Sequence, residues 1–298
     1  MVFDRQKRLL ALLDAHSGLL RNIDFQKLLF LYCQEVEETP TYDFVPYKFG
    51  GFSFTSYADK RRLVEQGLLA DEERTWNLTP LGKAAATVAP SVRMKMDQFA
   101  KRHARLRGDA LIAEAYRRYP YYAIQSEIAE RVLAGDAAAL REIKKARPAA
   151  SSPGLCTIGY EGRSLERYLN LLLMSGVTLL CDVRRNPLSR KYGFSKGTLS
   201  KSCDGVGIRY EHLPQLGIAT EKRRGLDTQA DYDALFAIYE RDSLPNQREA
   251  LIKIQQWIDA GERVALTCYE NLPEQCHRHC VAEALEQKIG QRYTAQHL

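Results

Sequence analysis

Apolar positions change their period near the middle of the chain. In the N-terminal part they recur at helical spacing. "IDFQKLLFLYCQEV" (Ile23–Val36) repeats them every three to four residues, with Asp24 placed to cap the helix start. "SYADKRRLVEQGLL" (Ser56–Leu69) predicts a second amphipathic helix, closed near Gly67. "ADEERTWNLTPLGKAAA" (Ala70–Ala86) reads as a turn, a short strand and a new helix begun at Thr79-Pro80. Beyond residue 154, short apolar runs end in polar residues and alternate with helical stretches. "LCTIGYE", "VTLLCDVRR", "IRYEHLP" and "ERVALTCYE" predict strands. "SLERYLNLLLMSG" (capped by Ser164), stretches around Tyr232–Tyr239 and Gln247–Ala260, and "CHRHCVAEALEQK" predict helices. That alternation predicts an α/β fold with a parallel sheet covered on both faces.

Length and charge add limits. A chain of 298 residues suggests two domains. "RPAASSPG" (147–154) is a small-residue linker, and residues 91–146 are helical and basic at first. No apolar run approaches the ~18 residues of a membrane span. Charged residues interrupt the N-terminal apolar stretch, so no signal peptide is expected. Seven cysteines without an export signal are expected to be reduced thiols in a cytoplasmic protein. The net charge of +6 permits a polyanionic partner.

In residues 1–90 the order of helix, helix, wing-like strand and helix resembles the winged-helix-type domains found beside toxin and defence genes. The resemblance implies double-stranded DNA as a partner, and a role against foreign or phage DNA. Protein docking is the alternative use of such a domain. Arg93, Lys95, Lys101, Arg102, Arg105 and Arg107 could follow a phosphate backbone or form a solvated helix face. Tyr116, Tyr119, Tyr121 and Tyr122, interleaved with arginines, could stack on bases or pack in a core.

In parallel sheets ligands bind outside the carboxyl ends of the strands. Three strand ends carry chemistry here: Tyr160-Glu161-Gly162-Arg163, Asp182-Val183-Arg184-Arg185, and Cys268-Tyr269-Glu270. Parallel strands would gather three carboxylates, several guanidiniums and two tyrosines into one cleft. The following loop adds Arg190, Lys191, Tyr192, Phe194 and Lys196, a basic segment with aromatics that suits nucleic acid. "EKRRGL" (Glu221–Leu226) extends that field.

"TIGYEGRSLERYLNLL", "LLCDVRRNPLSRKYGFSKGTLS", "IRYEHLPQLG" and "LTCYENLPEQCHRHCVAEAL" resemble, in order, the motifs of domain-of-unknown-function family 488. The resemblance implies a Rossmann-like domain over residues 155–298 and a site at Tyr160, Glu161, Asp182, Arg184, Arg185, Glu270, Cys276, His277 and Arg278.

Several chemistries compete at such a site. Zinc is disfavoured: Cys276 and Cys280 would share one helix face, and no second cysteine pair is visible. A thiol nucleophile lacks the arginine six positions on that a phosphate-cradling cysteine loop needs. Cys268 and Cys280 are expected to be packing residues, with His277 and Arg278 meeting a phosphate at a helix start. A Mg²⁺-dependent nuclease would need an acid-x-lysine pattern that is missing. Carboxylate chemistry remains: Asp182 and Glu270 as catalytic groups, with Tyr160 and Glu161 lining a base pocket. The expected protein is a DNA glycosylase that flips and excises a modified base, with Tyr192, Phe194 or a nearby arginine filling the gap. No metal and no cofactor are expected. A non-enzymatic, ligand-sensing DNA-binding regulator is the alternative from another class.

Overall fold

A computed structural model describes residues 2–149, 151–223, 225–289 and 294–298. The chain divides into two compact units, Met1–Arg147 and Pro148–Leu298. The break falls at the start of the expected linker, whose last residue, Gly154, already begins a strand.

The first unit runs α1 (Asp4–Ala15), β1 (Leu19–Arg21), α2 (Asn22–Glu35), β2 (Val45–Tyr47), β3 (Gly50–Phe52), α3 (Phe54–Glu65), β4 (Thr75–Asn77) and α4 (Pro80–Ala85). β1 pairs antiparallel with β4, and a bridge joins Leu69 to Leu78. Ser53 caps α3 by accepting from Ser56 N, and Thr79 caps α4 by accepting from Gly82 N. Asp24 is not the cap of α2. It lies inside the helix, buried, and accepts from Gly108 N (2.7 Å) and Arg21 Nε (2.9 Å). That ties the first turn of α2 to a segment 84 residues later.

Residues 91–146, expected as a separate connector, belong to this same unit. They form α5 (Pro90–Arg102), α6 (Gly108–Arg118), α7 (Ala129–Val132) and α8 (Ala137–Lys145). Met96, Phe99 and Leu111 join Leu9, Leu12, Phe25, Phe30 and Trp76 in one core. The apolar stripe of α5, hidden among basic residues, is what docks it. Two of its basic residues are paired within the unit: Arg93 with Asp14 (2.7 Å) and Asp97 (2.9 Å), and Arg102 with Glu35 (3.9 Å). Tyr116 is buried, and Tyr119 and Tyr122 pack edge-on against Phe30. These tyrosines are packing residues here.

The second unit is the expected α/β fold. It runs β5 (Gly154–Gly159), α9 (Leu165–Met174), β6 (Leu179–Asp182), α10 (Lys196–Asp204), β7 (Arg209–His212), α11 (Gln229–Ile238), α12 (Arg248–Asp259), β8 (Arg263–Cys268), α13 (Arg278–Ile289) and β9 (Gln296–His297). The five strands lie in the order β7-β6-β8-β5-β9, and every pair is parallel. β5 and β6 are buried at every position, as a sheet covered on both faces demands. Ser164 caps α9 by accepting from Arg167 N. β8 sits between β5 and β6 in register, with Gly159 opposite Cys268 and Asp182 opposite Thr267. The three expected strand ends therefore share one edge.

Candidate active site

Backbone packing at that edge depends on two glycines. A Cβ on Gly159 would collide with the Glu270 carbonyl, and one on Gly217 with the Arg185 backbone. Glycine at both lets the β8 exit and the Gly217 loop close around the strand ends.

Beneath the edge lies a buried ionic network. Asp182 Oδ1 accepts from Arg184 N (3.1 Å) and Nε (2.8 Å). Its Oδ2 accepts from Arg184 Nη2 (2.5 Å) and from the Tyr210 hydroxyl (2.6 Å). Arg184 Nη1 then donates to Tyr160 Oη and to the Phe194 carbonyl, both at 2.8 Å. Burial alone would lower the pKa of Arg184, but the Asp182 carboxylate more than offsets this and holds it raised. Burial, followed by the Asp182 charge, pushes the Tyr210 phenol up. Phe194 is fully buried and stacks on Tyr160, with centroids 4.3 Å apart and planes 8° off parallel.

Above this network is a cavity of about 320 Å³. Tyr160, Arg184, Arg185, Arg190, Arg223 and Glu270 contribute to its lining, together with Cys268, Tyr269 and Leu188. Glu270 is the one carboxylate among these lining residues. It pairs with Arg223, which "EKRRGL" supplies; Arg224 of that motif lies outside the described residues. A larger cavity, about 540 Å³, is lined by residues such as Glu240, Arg248, Cys280 and Glu283, and by no strand-end residue.

The expected cluster of three carboxylates is not formed. Asp182 is sealed beneath Arg184. Glu161 is exposed, and its Oε2 accepts from Asn271 N (3.0 Å), bracing the loop after β8. Among the expected nucleic-acid contacts, Arg185, Arg190, Tyr192 and Lys196 are exposed. Lys191 reaches the Tyr160 carbonyl (2.8 Å), and desolvation lowers its pKa. Arg163 reaches the carbonyls of Gly159 (3.0 Å) and Leu298 (3.1 Å). Desolvation and then Arg278 lower its pKa.

Four expected contacts need correction. Arg184 is buried, and its Nε, Nη1 and Nη2 are spent on Asp182, Tyr160 and the Phe194 carbonyl, so it offers no fork to a phosphate. Phe194 is buried under Tyr160 and presents no ring to a base. Arg278 is buried and donates to the carbonyls of Glu270 (2.5 Å) and Asn271 (2.8 Å), so it holds the β8 exit loop rather than a phosphate. His277 is buried as well, with Nε2 3.1 Å from the Val183 carbonyl. The physical reason is where the helix starts. α13 begins only at Arg278, and Cys276 sits before it in extended conformation (φ −139°, ψ 127°). Extended chain there turns Cys276 and His277 back beneath the sheet edge.

The same turn assembles a group that spacing along the chain concealed. Cys268 Sγ, Cys276 Sγ and a ring nitrogen of His277 all lie within 4.8 Å of one another, buried. Cys268 Sγ is 3.8 Å from His277 Nδ1 and 3.4 Å from Glu270 Oε2. A hydrogen bond from Cys276, then His277 and Arg223, hold the Cys268 thiol well below its ordinary pKa; burial, then Cys268 itself, keeps Cys276 high. Cys268 is thus part of the site rather than packing alone. Sequence reading also passed over Leu188, an apolar residue 76% exposed at the cavity. Its signal is a leucine set among arginines in a loop.

The second unit is therefore an all-parallel α/β domain whose strand ends enclose a polar, arginine-rich cavity. Residues 164–285, within this unit, match the family model described as Domain of unknown function DUF488. No curated protein and no solved structure matches the chain.

Proposed function

We propose that the protein is a DNA glycosylase, hydrolysing the N-glycosidic bond of a modified base in double-stranded DNA, with Glu270 as its catalytic carboxylate. The observation that carries this reading is a single carboxylate, Glu270, in a cavity whose lining also holds the exposed Arg185 and Arg190. Glycosidic cleavage builds positive charge on the sugar, which one nearby carboxylate stabilises. The flanking phosphates are polyanionic and suit arginine forks. Tyr269, 44% exposed at the cavity, supplies a face for an extruded base, whereas Tyr160, expected to line a base pocket, is buried between Phe194 and Arg184. Leu188, rather than Phe194, is the residue suited to enter the gap left in the duplex, because apolar wedges of this kind hold base steps apart.

A magnesium nuclease fits less well. It needs converging carboxylates, whereas Asp182 is committed to Arg184 and Glu161 to Asn271 N. In the first unit, the order of α1, β1, α2, α3 and a β4-bearing hairpin supports a winged-helix reading and a DNA-holding role. The turn before β4 carries exposed Asp71, Glu72 and Glu73, so α3, with exposed Arg61 and Arg62, is the better candidate for phosphates. A role in defence against phage DNA rests on the N-terminal resemblance.

The test is incubation with duplexes bearing normal and modified bases, followed by alkali. Strand scission at abasic sites is expected on at least one modified substrate, and Glu270→Gln abolishes it. Absence of scission on every substrate overturns the reading.

A further inference from the structure

We propose that Cys268, Cys276 and His277 form a binding site for a zinc-class divalent ion, with a fourth coordination position facing the strand-end cavity. The site stands independently of which bond the protein cleaves.

Ligand spacing is the first support. A tetrahedral ion with bonds of about 2.3 Å to sulfur and about 2.0–2.1 Å to imidazole nitrogen sets its ligands roughly 3.5–3.8 Å apart. Cys268 Sγ and His277 Nδ1 are 3.8 Å apart, and the three ligand atoms all lie within 4.8 Å of one another. They need only small rotations to close on an ion.

Orientation is the second. His277 Nε2 is 3.1 Å from the Val183 carbonyl, which can only accept a hydrogen bond, so the ring proton belongs on Nε2. Nδ1, turned toward Cys268, therefore carries its lone pair. A backbone carbonyl fixing the far nitrogen is the usual support of a metal-binding imidazole.

The open position is the third. Cys268 and Glu270 both line the cavity, and Glu270 Oε2 is 3.4 Å from Cys268 Sγ. Two sulfurs and one imidazole leave one corner for water, the arrangement of a catalytic rather than a closed structural site. A carboxylate beside that corner can accept a proton from the bound water, whose acidity the ion raises. Glu270 touches one member of the triad and lies beside it, which suits a proton acceptor more than a fourth ligand.

The fold explains why the chain order hides this site. Cys268 ends β8, while Cys276 and His277 return from a loop that Arg278 pins to the carbonyls of Glu270 and Asn271.

The experiment uses the full chain, without a histidine tag, purified reduced and stripped with chelator, then titrated with Co²⁺ and Zn²⁺. The expected result is a sulfur-to-cobalt charge-transfer band that saturates at one equivalent and is displaced by one equivalent of Zn²⁺. Cys276→Ser and His277→Ala should each weaken binding by more than ~100-fold, beyond what loss of an outer-shell partner costs. Cys33→Ala, in the other unit, should leave it unchanged. No charge-transfer band with wild-type protein overturns the proposal, whether or not the variants fold. So does a band that persists in a folded Cys276→Ser variant. The readout is spectroscopic, so a silent alkali assay leaves it unaffected, and a missing band leaves the glycosylase reading open to its own test.

Discussion

Arg184 closes over Asp182, two residues before it, through its backbone N–H, Nε and Nη2, and the Tyr210 hydroxyl adds a fourth donor. All four donors converge on a carboxylate with no exposed surface. Such a pair fixes geometry. Arg184 in turn places the Tyr160 hydroxyl and the Phe194 carbonyl, so this network sets the floor of the cavity while Glu270 stands in its wall.

Asp182 and Glu270 are therefore expected to separate cleanly on mutation. Removing one partner of a buried pair strands the other charge and costs about 3–5 kcal/mol. Asp182→Ala should lower thermal stability by that amount and lose activity through collapse of the floor. Glu270→Gln keeps the side chain's shape and an acceptor oxygen for Arg223, so it should cost less stability than Asp182→Ala while abolishing activity. Thermal unfolding of both variants beside the abasic-site assay checks this. A stable Asp182→Ala variant would contradict the structural role.

Tyr210→Phe probes the same network more gently. It removes one hydrogen bond to a buried carboxylate, worth about 1.5–3 kcal/mol, and leaves the Arg184 contacts in place. A matching loss of stability with the Zn²⁺ or Co²⁺ affinity unchanged is expected. Calorimetry and the cobalt titration together read it.

How much of this was legible in the sequence follows from what each signal measures. Apolar runs report burial, so β5, β6 and β8 and their common polar edge could be read directly. The caps Ser164 and Thr79 have a local signature and were equally readable. A capping residue such as Asp24 is ambiguous, because its partner, Gly108 N, lies far along the chain. Depth was harder. Asp182, Phe194, His277 and Arg278 are polar or aromatic residues near a strand-end site, and composition cannot separate the lining of a cavity from the layer beneath it. The cysteine–histidine cluster was missed because Cys276 was placed on a helix that starts two residues later. A shift of that size reverses which side chains face one another.

Buried titratable groups in the first unit predict a pH dependence. Burial lowers Lys27 from 10.5 to about 7, and its ammonium donates to the Gly51 carbonyl at 3.1 Å. The unfolded chain binds the proton more tightly between those two values, so this destabilisation is full below about pH 7 and fades as pH rises toward 10.5. Lys27→Met should thus stabilise the unit more at pH 6 than at pH 10, by on the order of 3–5 kcal/mol before the lost hydrogen bond is counted. His16 acts in acid. Burial, aided by Arg107, lowers it from 6.5 to about 4, and its Nε2 meets no hydrogen-bond partner. Stability from this group is complete above pH 6.5 and lost as pH falls through 4. His16→Gln should flatten the acid limb of a melting-temperature profile; an unchanged limb would exclude His16 as its source.

Leu188 separates extrusion of a base from chemistry on it. If it fills the gap in the duplex, Leu188→Ala should slow excision of a paired base about tenfold, equivalent to ~1.4 kcal/mol of lost support for the flipped state. Excision of the same base from a single strand should be unaffected, because no stack has to be opened. Single-turnover rates on the two substrates decide it, and equal slowing on both would assign Leu188 to the cavity wall instead.

Arg185 and Arg278 make the final contrast, between a guanidinium offered to solvent and one spent inside. Arg185 is exposed at the cavity, whereas Arg278 is buried against two carbonyls. A phosphate contact releases counterions, so its loss flattens the dependence of log affinity on log salt by about 0.9 per contact in duplex DNA. Arg185→Ala should weaken DNA binding, lower that slope by about one and leave thermal stability within about 0.5 kcal/mol. Arg278→Ala should do the reverse. It leaves the carbonyls of Glu270 and Asn271 without their donor and costs about 1–3 kcal/mol for each, while the salt slope stays at the wild-type value until the site itself unfolds. Fluorescence anisotropy across a salt series, run beside thermal melts, measures both. A lowered slope for a folded Arg278→Ala protein would mean that this side chain swings out to DNA, and that the loop it pins is released on binding.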